Sequence, residues 1–133
     1  LILLATPTST DERLKKISRM ARGFIYCVSV VGVTGARSDI SHQLTDLVNR
    51  LRGKGIVSLA AGFGISGPEN AKKAAALTDG VIVGSALIDR IEQSLSIDPN
   101  DDVKAIREAC LFIRELKKSI NGRKFLIGST NSQ

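Results

Sequence analysis

Tryptophan is absent from this chain of 133 residues, which holds one tyrosine, four phenylalanines, three prolines, two cysteines and one histidine. With aromatics at 4%, a core has to be assembled from Ile, Leu, Val and Ala. Nor are there enough rings to interleave with basic residues and stack bases, so no nucleic-acid partner is expected. Cys27 and Cys110 are too few and too far apart for a disulfide framework or a zinc site, and no metal is expected. Both fall in predicted apolar elements, which suits buried, reduced thiols and a cytoplasmic location. No apolar run approaches the length that spans a bilayer, so no membrane partner is expected either. The chain opens on Leu1, already inside a strand-like run, with no signal or transit segment before it. It reads as the back part of something longer.

What is present looks like an ordinary globular domain. Hydrophobic residues make up 43% and charged residues 24%, which excludes a disordered tail, a collagen-like chain and a coiled coil. The length suits one domain or half of a large one. The net charge is +6 and the isoelectric point near 9.7. The basic residues are scattered over the polar faces of predicted helices, from Lys15, Lys16, Arg19 and Arg22 through Arg50, Arg52 and Lys54 to a group from Arg114 to Lys124. That pattern fits solvated helix surfaces and an anionic substrate.

Two hydrophobic periods alternate along the chain. Leu1 to Ala5 is a short apolar run, as in a strand buried on both faces. Ser9-Thr10-Asp11-Glu12 has the spacing of a capping box, and Leu14, Ile17 and Ala21 follow at helical intervals. Phe24 to Val30 is the second strand, ending in Gly32-Val33-Thr34-Gly35-Ala36-Arg37. A helix from about Ser41 to Arg52 carries Leu44, Leu47, Val48 and Leu51 on one face and stops at Gly53 and Gly55. Ile56 to Ala61 is the third strand. Ser66-Gly67-Pro68-Glu69 repeats the capping-box spacing ahead of a helix to Leu77, with Pro68 in the first turn. Gly80 to Val83 is the fourth strand, followed by a short helix through Leu87, Ile88 and Ile91. After a polar segment from Ser96 to Asp102, Val103, Ile106, Cys110, Ile113 and Leu116 trace one helical face to about Ser119. Residues 1–120 thus form one βαβαβαβα unit, and 121–133 a flexible tail.

Such alternation means a parallel sheet with right-handed crossovers. It is either a small open α/β sheet or half of an eight-stranded barrel, since a whole barrel takes roughly 250 residues. Ligands in both architectures sit at the carboxyl ends of the strands. Three strands end there in glycine-rich turns, and those at Gly62 to Gly64 and Gly84-Ser85 lead straight into helix starts. Amides at a helix N-terminus, aided by the helix dipole, suit a phosphate. Groups for proton transfer are missing. Asp11, Glu12, Asp46, Glu69, Asp89, Glu92, Glu108 and Glu115 lie on predicted helices, and Asp79 precedes its strand. Asp39 is the acid nearest a strand-end loop, and His42 begins a helix. Cys27 lies within a strand. The chain offers an anion grip and apolar walls, but no acid–base pair.

Five segments carry a resemblance. They are Leu-Leu-Ala-Thr-Pro-Thr-Ser-Thr-Asp-Glu-Arg at 3–13, Gly-Phe-Ile-Tyr-Cys-Val-Ser at 23–29, Gly-Val-Thr-Gly-Ala-Arg at 32–37, Gly-Phe-Gly-Ile-Ser-Gly-Pro-Glu at 62–69 and Asp-Gly-Val-Ile-Val-Gly-Ser-Ala at 79–86. In order and spacing they resemble the tryptophan synthase alpha-subunit family. The resemblance implies a (β/α)8 TIM barrel that cleaves indole-3-glycerol phosphate to indole and glyceraldehyde 3-phosphate in tryptophan biosynthesis. Indole passes to a beta subunit that carries pyridoxal phosphate, so this chain needs no cofactor of its own. This chain matches the C-terminal half of the barrel, from the fifth strand onward. Gly35, Gly64, Gly84 and Ser85 match the positions that hold the substrate phosphate. Leu4, Tyr26, Phe63 and Ile82 match the walls around the indole ring. Thr34 matches the threonine of a mobile loop that closes over the substrate and orients a catalytic aspartate. The loops starting at Pro7 and Gly32 fall where the family meets its beta subunit. The family's catalytic glutamate and aspartate lie on and after the second strand, which this chain lacks. The implied reading is a lyase fragment that is inactive alone. The alternative is a non-catalytic phosphate-binding half-barrel that regulates a beta subunit. The Gly-Val-Thr-Gly-Ala loop argues against other phosphate-binding barrels.

Overall fold

The computed structural model describes residues 1–28, 37–55, 57–62 and 64–121. In chain order the elements are β1 (Leu3–Ala5), α1 (Asp11–Met20), β2 (Phe24–Val28), α2 (Arg37–Arg52), β3 (Ser58–Gly62), α3 (Pro68–Leu77), β4 (Gly80–Ile82), α4 (Ser85–Ile97) and α5 (Asp102–Ile120). The four strands form one parallel sheet in the order β1-β2-β3-β4, as the alternation predicts. The expected flexible tail, from 122 on, lies outside the described residues.

Register divides the sheet into two faces, because successive strand side chains point opposite ways. Leu3 pairs with Ile25, and Ile25 with Leu59; Ala5 pairs with Cys27, Cys27 with Ala61, and Ala61 with Val81. This face meets the helices. Ala5, Ile25, Cys27, Leu59 and Ala61 join one core with Leu14 and Ile17 of α1, Leu44, Leu47, Val48 and Leu51 of α2, Ala71 and Ala74 of α3, and Phe112 and Leu116 of α5. Each fully buried large side chain, such as Leu14, Leu47 or Phe112, contributes about 1.5–3 kcal/mol. The predicted faces of α1 and α2 are therefore the buried ones.

The opposite face carries Leu4, Tyr26, Ala60, Gly62 and Ile82. The strands are not buried on both faces, as the apolar runs suggest. Leu4 is 58% exposed, because no helix among the described residues covers that side. Tyr26 lies across this face, and a Cβ at Gly62 would fall inside its phenol group. Glycine at that position is what lets the ring lie flat on β3.

Several local expectations shift. Thr10, not Ser9, caps α1, its hydroxyl accepting from the Arg13 amide at 3.3 Å. Ser9 is buried and closes a turn instead, accepting from the Thr6 amide at 3.2 Å. Gly67 caps α3 with no side-chain bond, while Ser66 accepts from Asn70 Nδ2 at 3.0 Å. Helix α2 starts four residues earlier than the apolar period suggests, since nothing in Arg37–Ile40 breaks a helix. Strand β3 starts later, at Ser58. Helix α4 runs for 13 residues rather than stopping near Ile91. Asp101 caps α5, accepting from the Lys104 amide at 2.8 Å.

Helix α5 departs most. It buries Ala105, Phe112 and Leu116, while Val103 (69%), Ile106 (63%) and Ile113 (48%) are exposed. Cys110 is exposed too, contrary to the expectation that both cysteines are buried. The helix has two apolar stripes, and this chain covers the one that carries Phe112. Arg90 of α4 stacks over that ring at 5.1 Å.

Two arginines at the end of α2 tie distant segments together. Arg50 donates to the Pro7 and Ser9 carbonyls at 3.1 and 2.6 Å and pairs with Asp11 at 3.2 Å. Arg52 donates to both oxygens of Asp79 at 2.8 Å. Asp79 in turn accepts from the Leu59 amide and donates its own amide to the Leu59 carbonyl, each at 2.8 Å, aligning β4 on β3. Burial alone would raise the Asp79 carboxyl, but the bonds from Arg52 and Leu59 and the charge of Arg52 outweigh it. They hold it below the ordinary carboxylate value.

A carboxyl with a depressed native pKa stabilises the fold fully above its unfolded pKa, near 4, and loses that stabilisation as pH falls through the native value. Asp79→Ala is therefore expected to lower the free energy of unfolding by about 1 kcal/mol at pH 7, a figure kept small by partial exposure. Urea unfolding should show the deficit unchanged from pH 8 to about 5 and shrinking below about pH 4. A second expectation concerns the inner face. Gly62→Ala should cost about 1–3 kcal/mol by displacing Tyr26. Combining it with Tyr26→Ala should give less than the sum of the two losses, because the clash is then gone.

Candidate functional site

The carboxyl ends of β3 and β4 converge on one cleft of about 430 Å³, a volume suited to a small molecule. Tyr26, Gly64, Ser66, Ile82, Ser85 and Asp89 are among its lining residues. Tyr26 and Ile82 come from the inner face of the sheet, where the register placed them. Gly64 follows β3 with φ of +72°, a left-handed corner that favours glycine. Asn70 of α3 steadies that corner by bonding Ser66 Oγ.

Gly84 is the N-cap of α4, and its carbonyl accepts from the Leu87 and Ile88 amides at 2.9 and 3.2 Å. The amides of Ser85 and Ala86 open the helix ahead of these, where an α-helix has no internal partner for its N–H groups. No acidic residue stands in the first turn of α4 to compete for them. The site therefore joins a left-handed backbone corner, a helix start, a serine hydroxyl and a phenol-and-aliphatic wall. Chemically it can receive a small anion attached to an apolar group.

Of the eight residues singled out for the phosphate and the ring, Gly64, Gly84, Ser85, Tyr26 and Ile82 line this one cleft. Leu4 does not. It shares the inner face of the sheet but sits at the β1 edge, lining a polar cleft with Thr6, Thr8, Ser9 and Arg13. Gly35 and Phe63 lie outside the described residues, as does Thr34 of the loop-closing role. Ile65, Ser66, Val83, Ala86 and Asp89 also line the cleft and were not singled out for it in the sequence; the one that carries a charge is Asp89. Asp89 was set aside as a helix residue, yet it stands one turn after Ser85 on the same side of α4. Its spacing from Ser85 was the available signal.

The remaining reactive groups lie elsewhere. His42 is exposed on α2. Cys27 is fully buried in the core, and burial pushes its thiol up to about 11, so it stays protonated and unreactive. Among the described residues, no three His, Cys, Asp or Glu gather as metal ligands, and no helix is long and apolar enough to cross a membrane.

Comparison with known proteins agrees with this geometry. The family model of the tryptophan synthase alpha chain matches residues 1–121. A tryptophan synthase alpha chain from Dehalococcoides mccartyi is 45% identical over 121 residues, 91% of this chain and 44% of that one. One from Chloroflexus aurantiacus is 42% identical over 90% of this chain and 43% of its own length. Among solved structures, the alpha subunit from Legionella pneumophila superposes with a TM-score of 0.72 at 28% identity, over 92% of this chain and 42% of that one. The alpha subunit from Campylobacter jejuni gives 0.71 at 29% identity, over 87% and 43%. The chain thus spans less than half the length of these relatives, and its four parallel strands and helices match part of their TIM-barrel fold. On the family match and on these identities, the chain belongs to the tryptophan synthase alpha chain family.

Proposed function

We propose that this chain is the C-terminal half of an alpha subunit, the part that grips indole-3-glycerol phosphate and leaves the proton transfers to residues outside it. The observation that carries this reading is the shared cleft. Gly64 and Ser85 come from consecutive strand ends and meet beside Tyr26 and Ile82, in a chain of this family. The phosphate sits against the Gly64 corner and the amides of Gly84 and Ser85, while Gly35, the remaining position the resemblance assigns to it, lies outside the described residues. The indole ring lies along Tyr26 and Ile82, the two of its four expected wall residues that line the cleft. Thr34 serves loop closure, which shields the substrate from water.

The reaction is the retro-aldol cleavage of that substrate to indole and glyceraldehyde 3-phosphate, a lyase step of tryptophan biosynthesis in the cytoplasm. It needs one group to take a proton and another to give one. Among the described residues that line the cleft there is no histidine or cysteine, and the one carboxylate is Asp89, beside Ser85. Each missing proton-transfer group withholds about 10²–10⁴-fold in rate. The partner is the beta subunit, which carries the pyridoxal phosphate, and the resemblance assigns the loops beginning at Pro7 and Gly32 to that contact.

Titration calorimetry with glycerol 3-phosphate tests the grip. Ser85→Glu should abolish binding by setting a carboxylate at the helix start. Asp89→Asn should tighten it about five-fold, since a like charge about 4 Å away across open water costs about 1 kcal/mol. Equal heats from all three proteins would remove the phosphate assignment. Indole release should be undetectable from the chain alone and should return when the upstream half of a relative's alpha chain is added. Turnover without that addition would overturn the division of labour.

A further inference from the structure

We propose that Ser66 is a second hydroxyl donor to the anion held in the cleft, and that Asn70 is the positioning residue that presents it. The inference deepens the phosphate reading of this site and rests on it. Ser66 stands three residues before Glu69, the spacing of a capping box, yet its hydroxyl does not cap the helix. Gly67 is the N-cap of α3, with no side-chain bond. Ser66 lines the cleft instead, together with Gly64, Ser85 and Ala86. It follows β3 as Ser85 follows β4, so consecutive strand ends each bring one serine hydroxyl to the same cleft.

The hydrogen bonds around Ser66 decide what its hydroxyl can still do. Asn70, in the first turn of α3, reaches two oxygens with one nitrogen. Its Nδ2 donates to the Gly64 carbonyl at 3.5 Å and to Ser66 Oγ at 3.0 Å. A carbonyl can only accept, so the Gly64 oxygen fixes which end of the amide faces this corner. Ser66 Oγ is thereby the acceptor in its bond with Asn70, and its single proton is not used there. The reverse amide orientation would tie that proton to Asn70 Oδ1. Among the described residues no acceptor takes it. Ser66 is exposed, and an unheld hydroxyl there would turn through all its staggered positions. The bond from Asn70 occupies one side of Oγ and removes some of them, so the donor is partly oriented before an anion arrives. An O–H donated to a charged oxygen is about twice as strong as a neutral bond. The same amide bonds the Gly64 carbonyl, so one side chain fixes both the corner and the donor.

Titration calorimetry of the 133-residue chain with glycerol 3-phosphate tests both roles, with Ser85→Glu as the reference for the grip itself. Ser66→Ala should weaken binding about ten-fold, the loss of one hydrogen bond to a charged group. Ser66→Thr keeps the hydroxyl and should stay within about two-fold of the parent. Ser66→Cys, close to serine in size and a weak donor, is a second variant and should fall between alanine and the parent. Asn70→Ala should weaken binding about three-fold in the parent and less than about two-fold in the Ser66→Ala background, because it acts mainly through that hydroxyl. Circular dichroism should not change, since both side chains are exposed and α3 keeps its Gly67 cap. If Ser85→Glu abolishes binding while Ser66→Ala and Ser66→Cys bind as the parent does, Ser66 donates nothing and this proposal falls, with the phosphate reading intact. Equal losses from Asn70→Ala in both backgrounds overturn the positioning role. Equal heats from the parent and Ser85→Glu, or no heat from either, remove the phosphate reading and this proposal with it.

Discussion

The sheet's register against its helices is the constraint on which everything else depends. Ala5, Ile25, Cys27, Leu59 and Ala61 must face the helical layer to be buried, and the core exists only with all of them on that side. Side chains alternate along a strand, so Leu4, Tyr26, Ala60, Gly62 and Ile82 are thereby committed to the other face. A slip of one residue would exchange the two sets, exposing the core and burying the cleft wall in helices. The walls of the cleft are therefore no separate invention. They are the residues left over once the core has taken its own, carried upward to the strand ends where Gly64, Gly84 and Ser85 wait.

What could be read in the sequence follows the same logic. The buried faces of α1 and α2 were legible because each has a single apolar stripe, Leu14–Ile17–Ala21 and Leu44–Leu47–Val48–Leu51, and one stripe leaves no choice. Helix α5 has two, and periodicity finds stripes without saying which one the chain can cover. Of the predicted face Val103, Ile106, Cys110, Ile113 and Leu116, only Leu116 is buried, together with Phe112 and Ala105 from outside that face, because α3 and α4 lie against them. Ser9 and Ser66 show a different limit. A serine three residues before a glutamate satisfies the capping pattern, but the same hydroxyl can close a turn, and neighbouring Thr10 and Gly67 take the cap instead. The glycine corners were legible because a strand end followed by a helix start is a local pattern. The Arg50 and Arg52 ties were not, since their partners lie 27 to 43 residues away.

The basic excess takes on a structural meaning through those ties. Arg50, Arg52 and Lys54 spend their charge on Asp11, Asp46 and Asp79. The hydrogen bond from Arg50, then the charges of Lys54 and Arg50, hold the Asp11 carboxyl below its ordinary value. Exposed pairs of this kind are worth little each. The bonds from Arg50 to the Pro7 and Ser9 carbonyls matter more, because they fix the path of the loop that leaves β1. Arg90 is likewise engaged with Phe112. Arg50, Arg52 and Lys54, close together in sequence, are thus engaged within the molecule, and the anion grip proposed above uses backbone amides that carry no net charge.

That separation explains why this part of a barrel can be rich in recognition and poor in reaction. Holding an oxyanion asks for amides and a hydroxyl at fixed corners, which glycine turns and helix starts supply wherever strands end. Moving a proton asks for a titratable side chain within hydrogen-bonding reach of the reacting atom. The described residues place their histidine on an outer helix and seal one thiol in the core. Asp89 is the exception, a carboxylate at the cleft on the side where a phosphate would repel it. A group there can modulate how tightly an anion is held, but it stands beside the grip and away from the Tyr26 and Ile82 wall that would carry the reacting ring. Among the described residues the strand ends thus favour recognition over chemistry, since β3 and β4 end in glycine corners and the one acid at the cleft, Asp89, stands on the helix that follows.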